Sequence, residues 1–162
     1  MAQDAAIVQK LLENCDDYYQ LVEGRSTPKD AAQNELKDVP PEKVVEDLHC
    51  FGIFTLTGEL VCILMAIRGF RTPKEWYLSL LLIRPDFRQR GLGREVYYAF
   101  ENWVQSAGAE MVLLATVGAN GRAARFWESL GFEESHRFSG IKIGNLLHNL
   151  IEFKKPTGPQ SA

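Results

Sequence analysis

Arg88-Gln89-Arg90-Gly91-Leu92-Gly93 is the stretch on which the reading of this chain turns. It follows an apolar run from Trp76 to Ile83 that closes on Arg84-Pro85. It precedes a segment whose apolar residues recur at helical spacing from Leu92 onward. Strand, basic glycine-bearing loop and helix is the order these patterns predict. A helix start carries N–H groups with no intrahelical partner, glycine permits close approach, and arginines favour an anion. The stretch therefore reads as a cradle for a pyrophosphate. Two familiar phosphate loops are excluded by residues. A Walker loop needs Lys-Ser or Lys-Thr after its second glycine, and neither stands here. A dinucleotide fingerprint needs a third glycine where this chain has Val96. It also needs an acidic residue at the end of the next strand, whereas Glu110 stands at the beginning of one.

A second block follows at a distance of one amphipathic helix and one strand: Asn120-Gly121-Arg122-Ala123-Ala124-Arg125-Phe126-Trp127-Glu128-Ser129-Leu130-Gly131-Phe132. Arg88-x-x-Gly91-x-Gly93 resembles the acyl-CoA loop of the GNAT superfamily of N-acyltransferases. The second block resembles that superfamily's N-x-x-A-x-x-F-Y-x-x-x-G-F signature. The resemblance covers about Cys50 to Glu134. Asp17-Tyr18-Tyr19-x-Leu21-Val22-x-Gly24 and Trp76-Tyr77 are further similar to a group of bacterial GNAT proteins.

Composition agrees with a single domain over residues 1–155 followed by a disordered tail over 156–162. The chain has 162 residues, 46% of them hydrophobic, enough to bury a core. No apolar run approaches the roughly 20 residues that span a membrane, and no secretory leader is visible, so no membrane partner is expected. Cys15, Cys50 and Cys62 lack metal-ligand spacing and read as reduced thiols of a cytoplasmic protein; no metal site is expected. A formal net charge of −3 argues against nucleic acid. Arginines 84, 88, 90, 94, 122 and 125 nevertheless gather at the two blocks, which suits a polyanionic cofactor.

Periodicity predicts one helix over Asp4 to Val22, a second opening at Pro28 and a short third at Pro41-Glu42-Lys43. A hairpin from His49 to Leu56 and Leu60 to Gly69 follows, then the central strand Glu75 to Arg84. Leu80-Leu81-Leu82-Ile83 implies burial on both faces of that strand. Helix Leu92 to Ala107, strand Glu110 to Val117, helix Asn120 to Leu130 and strands Phe132 to Phe138 and Asn145 to Phe153 complete the order. The fold class is α/β, a GNAT-like mixed sheet flanked by helices. GNAT proteins usually begin with a strand, whereas this chain starts almost directly in a helix. Either that edge strand is lacking, or the edge is covered by the C-terminal tail or by a neighbouring subunit in a homodimer.

The resemblance implies acetyl-CoA as cofactor, held by the loop amides of Arg88, Gln89, Arg90, Gly91, Leu92, Gly93 and Arg94. It also implies the main chain of Leu82 and Ile83 as a false neighbouring strand for the pantetheine amides, with Phe126 in the same cofactor set. Asn120 has two compatible readings, a helix cap and a ligand to the pantetheine arm. Trp127 stands where many relatives carry the tyrosine that protonates the departing sulfur. An indole N–H donates a hydrogen bond but gives up no proton. Ser79 stands where many carry a glutamate. Asp17, Tyr19 and Trp76 are the candidates for an acidic-aromatic acceptor pocket, with Asp16, Tyr18, Glu23 and Tyr77 beside them, and such a pocket suits a small cation. His49, His136 and His148 read as structural. The implied function is transfer of an acetyl group to a primary amine of a small molecule by direct attack. Two rivals stand beside it: a CoA-binding regulator that lost the chemistry, and a transferase acting on protein N-termini or lysines.

Overall fold

The unbroken apolar run from Leu60 to Ile67 builds the most deeply buried strand of the molecule, and the rest of the fold is arranged around it. The computed structural model describes residues 2–158. Its elements are α1 (Ala2–Asn14), α2 (Asp16–Glu23), α3 (Ala31–Glu35), β1 (Leu48–Phe54), β2 (Leu60–Arg68), β3 (Glu75–Ile83), α4 (Leu92–Ser106), β4 (Met111–Val117), α5 (Gly121–Ser129), β5 (Glu133–Ile143) and β6 (Leu146–Pro156). The six strands form one sheet in the order β1-β2-β3-β4-β6-β5. Only β3 and β4 run parallel, joined through α4; all other neighbours are antiparallel.

Strand alternation sends Ile63 and Met65 into a core with Leu11 and Leu12 of α1 and Ala31 and Ala32 of α3. Leu64 and Ala66 enter a second core with Tyr97, Phe100 and Val104 of α4 and Trp127 of α5. Helices thus cover both faces, which is why β2 shows no polar face. In β3 the same alternation is broken once. Met65 pairs with Leu80 and Ala66 with Leu78, so Ser79 is the extra residue of a bulge. Before the bulge, Trp76 and Leu78 belong to the α4–α5 core; after it, Leu80 and Leu82 belong to the α1–α3 core.

Several expectations are corrected. The single helix over Asp4 to Val22 is two helices. Cys15 interrupts it, its N–H shared between Leu11 O at 3.1 Å and Leu12 O at 2.9 Å. Pro41 opens a turn, and the short third helix is a 3-10 turn displaced to Val45–Asp47. β5 and β6 are longer than their apolar cores suggest. The chain stays ordered past residue 155: Pro156 pairs with Met111, and Thr157 N–H donates to Glu110 O at 3.0 Å. Residues 159–162 of the expected tail lie outside the described residues. Among the described residues no strand precedes α1, and β1 is a sheet edge. The described end of the chain pairs beside β4, on the far side of β2 and β3, and so leaves that edge uncovered.

Candidate active site

Parallel strands β3 and β4 are joined only at their first residues, Glu75 to Met111, Trp76 to Val112 and Tyr77 to Leu113. Beyond Tyr77 and Leu113 they diverge, and a cavity of about 1060 Å³ opens between them. Leu78 to Ile83 line it from β3 and Leu114 to Val117 from β4. Such a crevice at the carboxyl ends of parallel strands is where open α/β sheets take ligands. Backbone phase decides which peptide groups face it. Arg84 N–H donates to Val61 O at 2.9 Å, which makes that opposed pair hydrogen-bonded. Alternation then turns the peptide groups of Leu82 toward β2 and those of Leu81 and Ile83 toward the opening. Of the two strand residues expected to present backbone, Ile83 does so; Leu82 is replaced by Leu81. The Ile83 carbonyl is already engaged, accepting from Arg88 Nε at 2.8 Å and from Cys15 Sγ at 3.5 Å.

At the mouth of the crevice the 88–93 loop turns into α4. Gln89 takes φ 59° and Gly91 φ 84°, both left-handed, and Gln89 is the sole non-glycine of that kind among the described residues. A side chain tolerating that region marks a loop held in a set shape. Gly91 is the cap residue of α4 and supplies no side-chain cap, so the amides at the helix start are left for an external acceptor. A β-carbon on Gly91 would meet nothing within 4 Å. One on Gly93 would lie 3.2 Å from both Ile83 Cδ1 and Phe126 Cζ, so this glycine lets α4 close on β3 and α5. Arg88, Gln89, Gly91, Gly93 and Arg94 line the cavity, and so does Arg122 of α5. Arg90 and Leu92 are not among the lining residues; the Arg90 guanidinium instead sits 5.8 Å from the Phe87 ring centroid. Arg84 is likewise turned away, paired with Asp86 at 2.7 Å.

Helix α5 forms the next wall through Asn120, Ala123, Phe126 and Trp127. Asn120 Oδ1 accepts from Ala123 N–H at 3.1 Å, so the side chain caps α5 while its amide nitrogen remains a donor at the cavity. Trp127 is 6% exposed and packs edge-on against Tyr97, Phe126 and Phe132 at 5.7, 4.8 and 5.3 Å, reaching the cavity from within the core. Ser79 also lines the cavity, at the bulge, with its hydroxyl donating to Met65 O at 3.3 Å.

The opposite wall departs most from expectation. Tyr19 is buried between α1 and α3 with its hydroxyl donating to Glu35 at 3.2 Å, and Trp76 is buried among His49, Phe100 and Trp103 beneath α4. Neither lines the cavity. Their sequence neighbours do: Tyr18, one helical step from Tyr19, and Tyr77, on the other face of β3. Leu21 and Val22 of α2, Ile143 of β5 and Leu150 of β6 complete this wall. Asp17 lines the cavity as well, but its carboxylate is gripped by both terminal nitrogens of Arg88, Nη2 at 3.1 Å. That grip holds Asp17 below the usual carboxylate range. Asp16 is held by Thr27 N–H at 2.7 Å and serves the α2–α3 loop. Burial raises the phenols of Tyr18 and Tyr77. Asp17 is thus the one carboxylate among the described lining residues, and no described cluster could hold a metal ion. Glu152 of β6, paired opposite Ala115 of β4, is taken by Arg71 at 2.6 Å and Ser135 at 2.9 Å.

The profile of the acetyltransferase (GNAT) family matches residues 9–132, which contain α2, the splayed strands, the glycine loop and α5. The chain belongs to the GNAT acetyltransferase family. No curated protein matches it. Among solved structures, an acetyltransferase from Thermus thermophilus is 25% identical with a TM-score of 0.76, covering 95% of this chain and 91% of its own. The ribosomal-protein-S18-alanine N-acetyltransferase of Escherichia coli is 17% identical with a TM-score of 0.66, covering 93% and 90%. Spermidine/spermine N-acetyltransferase from Vibrio cholerae is 13% identical with a TM-score of 0.61, covering 68% and 66%. The last two share the fold while acting on different acceptors, so a GNAT fold leaves the acceptor open. GNAT enzymes use an acyl-CoA cosubstrate, and this cavity has the parts to take one. They are an uncapped helix start beside arginines, a glycine with open space over it, and backbone turned into an unpaired crevice. No helix among the described residues is long and apolar enough to cross a membrane.

Proposed function

We propose that this GNAT protein transfers an acetyl group from acetyl-CoA to the primary amine of a small molecule, by direct attack of the amine on the thioester. The observation that carries the reading is the divergence of β3 and β4 just past Tyr77 and Leu113, with the α4 helix start at the mouth of the opening. Acetyl-CoA supplies an acyl group already activated, on a thiol whose pKa near ~8.5 makes it a tolerable leaving group. The α4 amides with Arg94 and Arg122 hold the phosphates. The Leu81 and Ile83 peptides pair with the arm, and an N–H on that strand edge can polarise the acyl oxygen. Trp127 shapes the floor and donates no proton. Tyr18, Leu21, Val22, Tyr77, Ile143 and Leu150 enclose an amine of modest size. Positioning of the two reactants supplies most of the rate.

Asp17 is locked to Arg88 and the wall tyrosines are raised by burial, so none of these described lining residues serves as a general base. The amine must then arrive neutral or lose its proton to water. Calorimetry with acetyl-CoA, followed by CoA release with a panel of amines across pH, tests the reading. The alkaline rise in kcat/KM should shift with the acceptor's own pKa from one amine to the next. A rise at one pH for every amine would place a titrating base on the enzyme, and absence of turnover with CoA binding intact would favour a binding protein.

A further inference from the structure

The face of the sheet turned away from α4 and α5 carries two cavities that share no lining residue. Leu114 packs in the α4–α5 core, so Leu113 and Ala115 of β4 point to the other face. Strand pairing sets Tyr77 beside Leu113 in one row, and Ala115, Glu152 and His136 side by side in the next. Tyr77 and Ala115 line the first cavity, on the wall proposed for the acceptor. Leu113, Glu152 and His136 line the second, of about 510 Å³, nearer the closed end of the two parallel strands.

The boundary between them is an ion pair. Arg71, in the loop before β3, reaches across β4 to Glu152 of β6. Both its terminal nitrogens donate to the carboxylate, at 3.2 and 2.6 Å, and Ser135 Oγ donates to the same group at 2.9 Å. The Arg71 guanidinium lies 5.1 Å from the centroid of the Phe70 ring, which stacks on Tyr77 at 4.6 Å. Burial raises the Tyr77 phenol most, the Glu152 charge adds to the rise and Arg71 opposes it, so both partners act on this wall of the first cavity. Glu152 is 6% exposed. Apolar residues of like volume commonly hold such a spot as stably as a buried ion pair, so stability alone does not account for it. A forked pair is stiff, and a hydrocarbon tail pushed against it must strip charges of their partners.

We infer that the Arg71–Glu152 pair is the end stop of the acceptor site, setting the longest amine that the first cavity admits by closing it off from the second. The inference rests on the proposed small-amine acceptor and names what keeps that acceptor small. It also makes the second cavity, with Met111, Leu113 and Phe138 in its lining, space that a longer tail reaches only once the stop is gone.

Straight-chain primary monoamines from ethylamine to octylamine, assayed by CoA release at saturating acetyl-CoA, read the stop directly. In the wild type kcat/KM should climb about 2- to 4-fold per methylene while the tail stays in the first cavity, then fall at least ~10-fold once it meets the pair. Arg71→Ala/Glu152→Ala removes both charges together and leaves no buried charge unpaired. Amines beyond the wild-type limit should gain at least ~10-fold in kcat/KM, and the shorter ones should stay within about threefold. Should that variant not fold, Arg71→Ala/Glu152→Gln opens the same gap while keeping a partner for Ser135. A wild-type profile that climbs through octylamine with no fall overturns the inference, and no variant is needed to see it. A folded variant that loses activity on every amine alike, with the limit unmoved, makes the pair a brace of the sheet and also overturns it. If the wild type binds acetyl-CoA yet acetylates none of the amines, the small-amine reading fails and takes this inference with it.

Discussion

On the α4–α5 wall of the cavity the chain presents backbone: helix-start amides after Gly91, the peptide edges of Leu81 and Ile83, and a glycine that lets α4 press against Phe126. On the α2 wall it presents side chains drawn from places far apart in sequence: Tyr18, Leu21 and Val22, Tyr77, and Ile143 and Leu150 from the last hairpin. A backbone cradle constrains sequence locally, because only glycine fits certain positions and the spacing between them is set by the turn. A side-chain wall constrains only shape, and many residue types can meet it. Arg88 joins the two, with Nε on Ile83 O and its other nitrogens on Asp17 of α2. This contrast suggests one wall common to the fold and one particular to the acceptor.

The strongest blow to the contrast would fall on the cradle. Gly91→Asp forces a side chain into φ 84° and sets a negative charge where a pyrophosphate must approach. CoA affinity should drop at least ~10-fold, about 1.4 kcal/mol, with acceptor KM little changed in the residual activity. A folded variant that binds CoA normally in calorimetry would show that the cradle lies elsewhere.

On the other wall, Tyr18→Ala removes a large lining ring, and acceptor KM should rise by roughly 5- to 10-fold, the scale of losing part of an aromatic contact, while CoA affinity stays within a factor of about two. Steady-state kinetics with saturating acetyl-CoA separates the two constants. If instead CoA binding falls and acceptor KM holds, the walls have been assigned the wrong way round.

Trp127 sharpens the boundary between shape and chemistry. Trp127→Phe should keep kcat within about an order of magnitude, since no acid is lost. It should destabilise the protein by roughly 1–3 kcal/mol through the space left among Tyr97, Phe126 and Phe132. A fall in kcat of several orders of magnitude would make the indole N–H essential.

Asp17→Asn probes the link between the walls. Its carboxylate is half-exposed, so the pair with Arg88 is a modest one, and CoA affinity should weaken about 2- to 5-fold. Because Arg88 holds the Asp17 pKa down, the charged pair persists through neutral pH and is lost only as pH falls through that lowered value. The wild-type advantage over Asp17→Asn should therefore vanish in acid and be flat above it. An advantage growing at alkaline pH would contradict the pairing. The smallest effect belongs to Tyr19→Phe: both KM values should match wild type, since that hydroxyl serves Glu35 and not the cavity. A changed acceptor KM would return Tyr19 to the site.

How legible the molecule was follows the same division. The glycine loop, the capping asparagine and the strand–helix order were readable because each is a local rule of backbone geometry, and the α/β class followed from them. Cys15 was not readable as a helix break, since nothing in its residue type demands one. Tyr19 and Trp76 were misplaced by a single residue each. On a helix one step is about 100°, and on a strand it exchanges the two faces of the sheet, so an error of one suffices to move a ring from cavity to core. The bulge at Ser79 adds a further exchange of faces in the middle of β3, visible only once β2 is laid beside it.

By itself the sequence determined the order of strands and helices from β1 to β6 and where the uncapped helix start lies, and its resemblance to the GNAT superfamily implied an acyl-CoA. The tertiary structure alone decided that β3 and β4 part after Tyr77, that Leu81 and not Leu82 turns its peptide to the gap, and that Asp17 is spent on Arg88. Each of these depends on the phase of one strand against another or on residues brought together from distant parts of the chain. Phase and long-range approach are set by the packing of whole faces, which no local stretch of residues encodes.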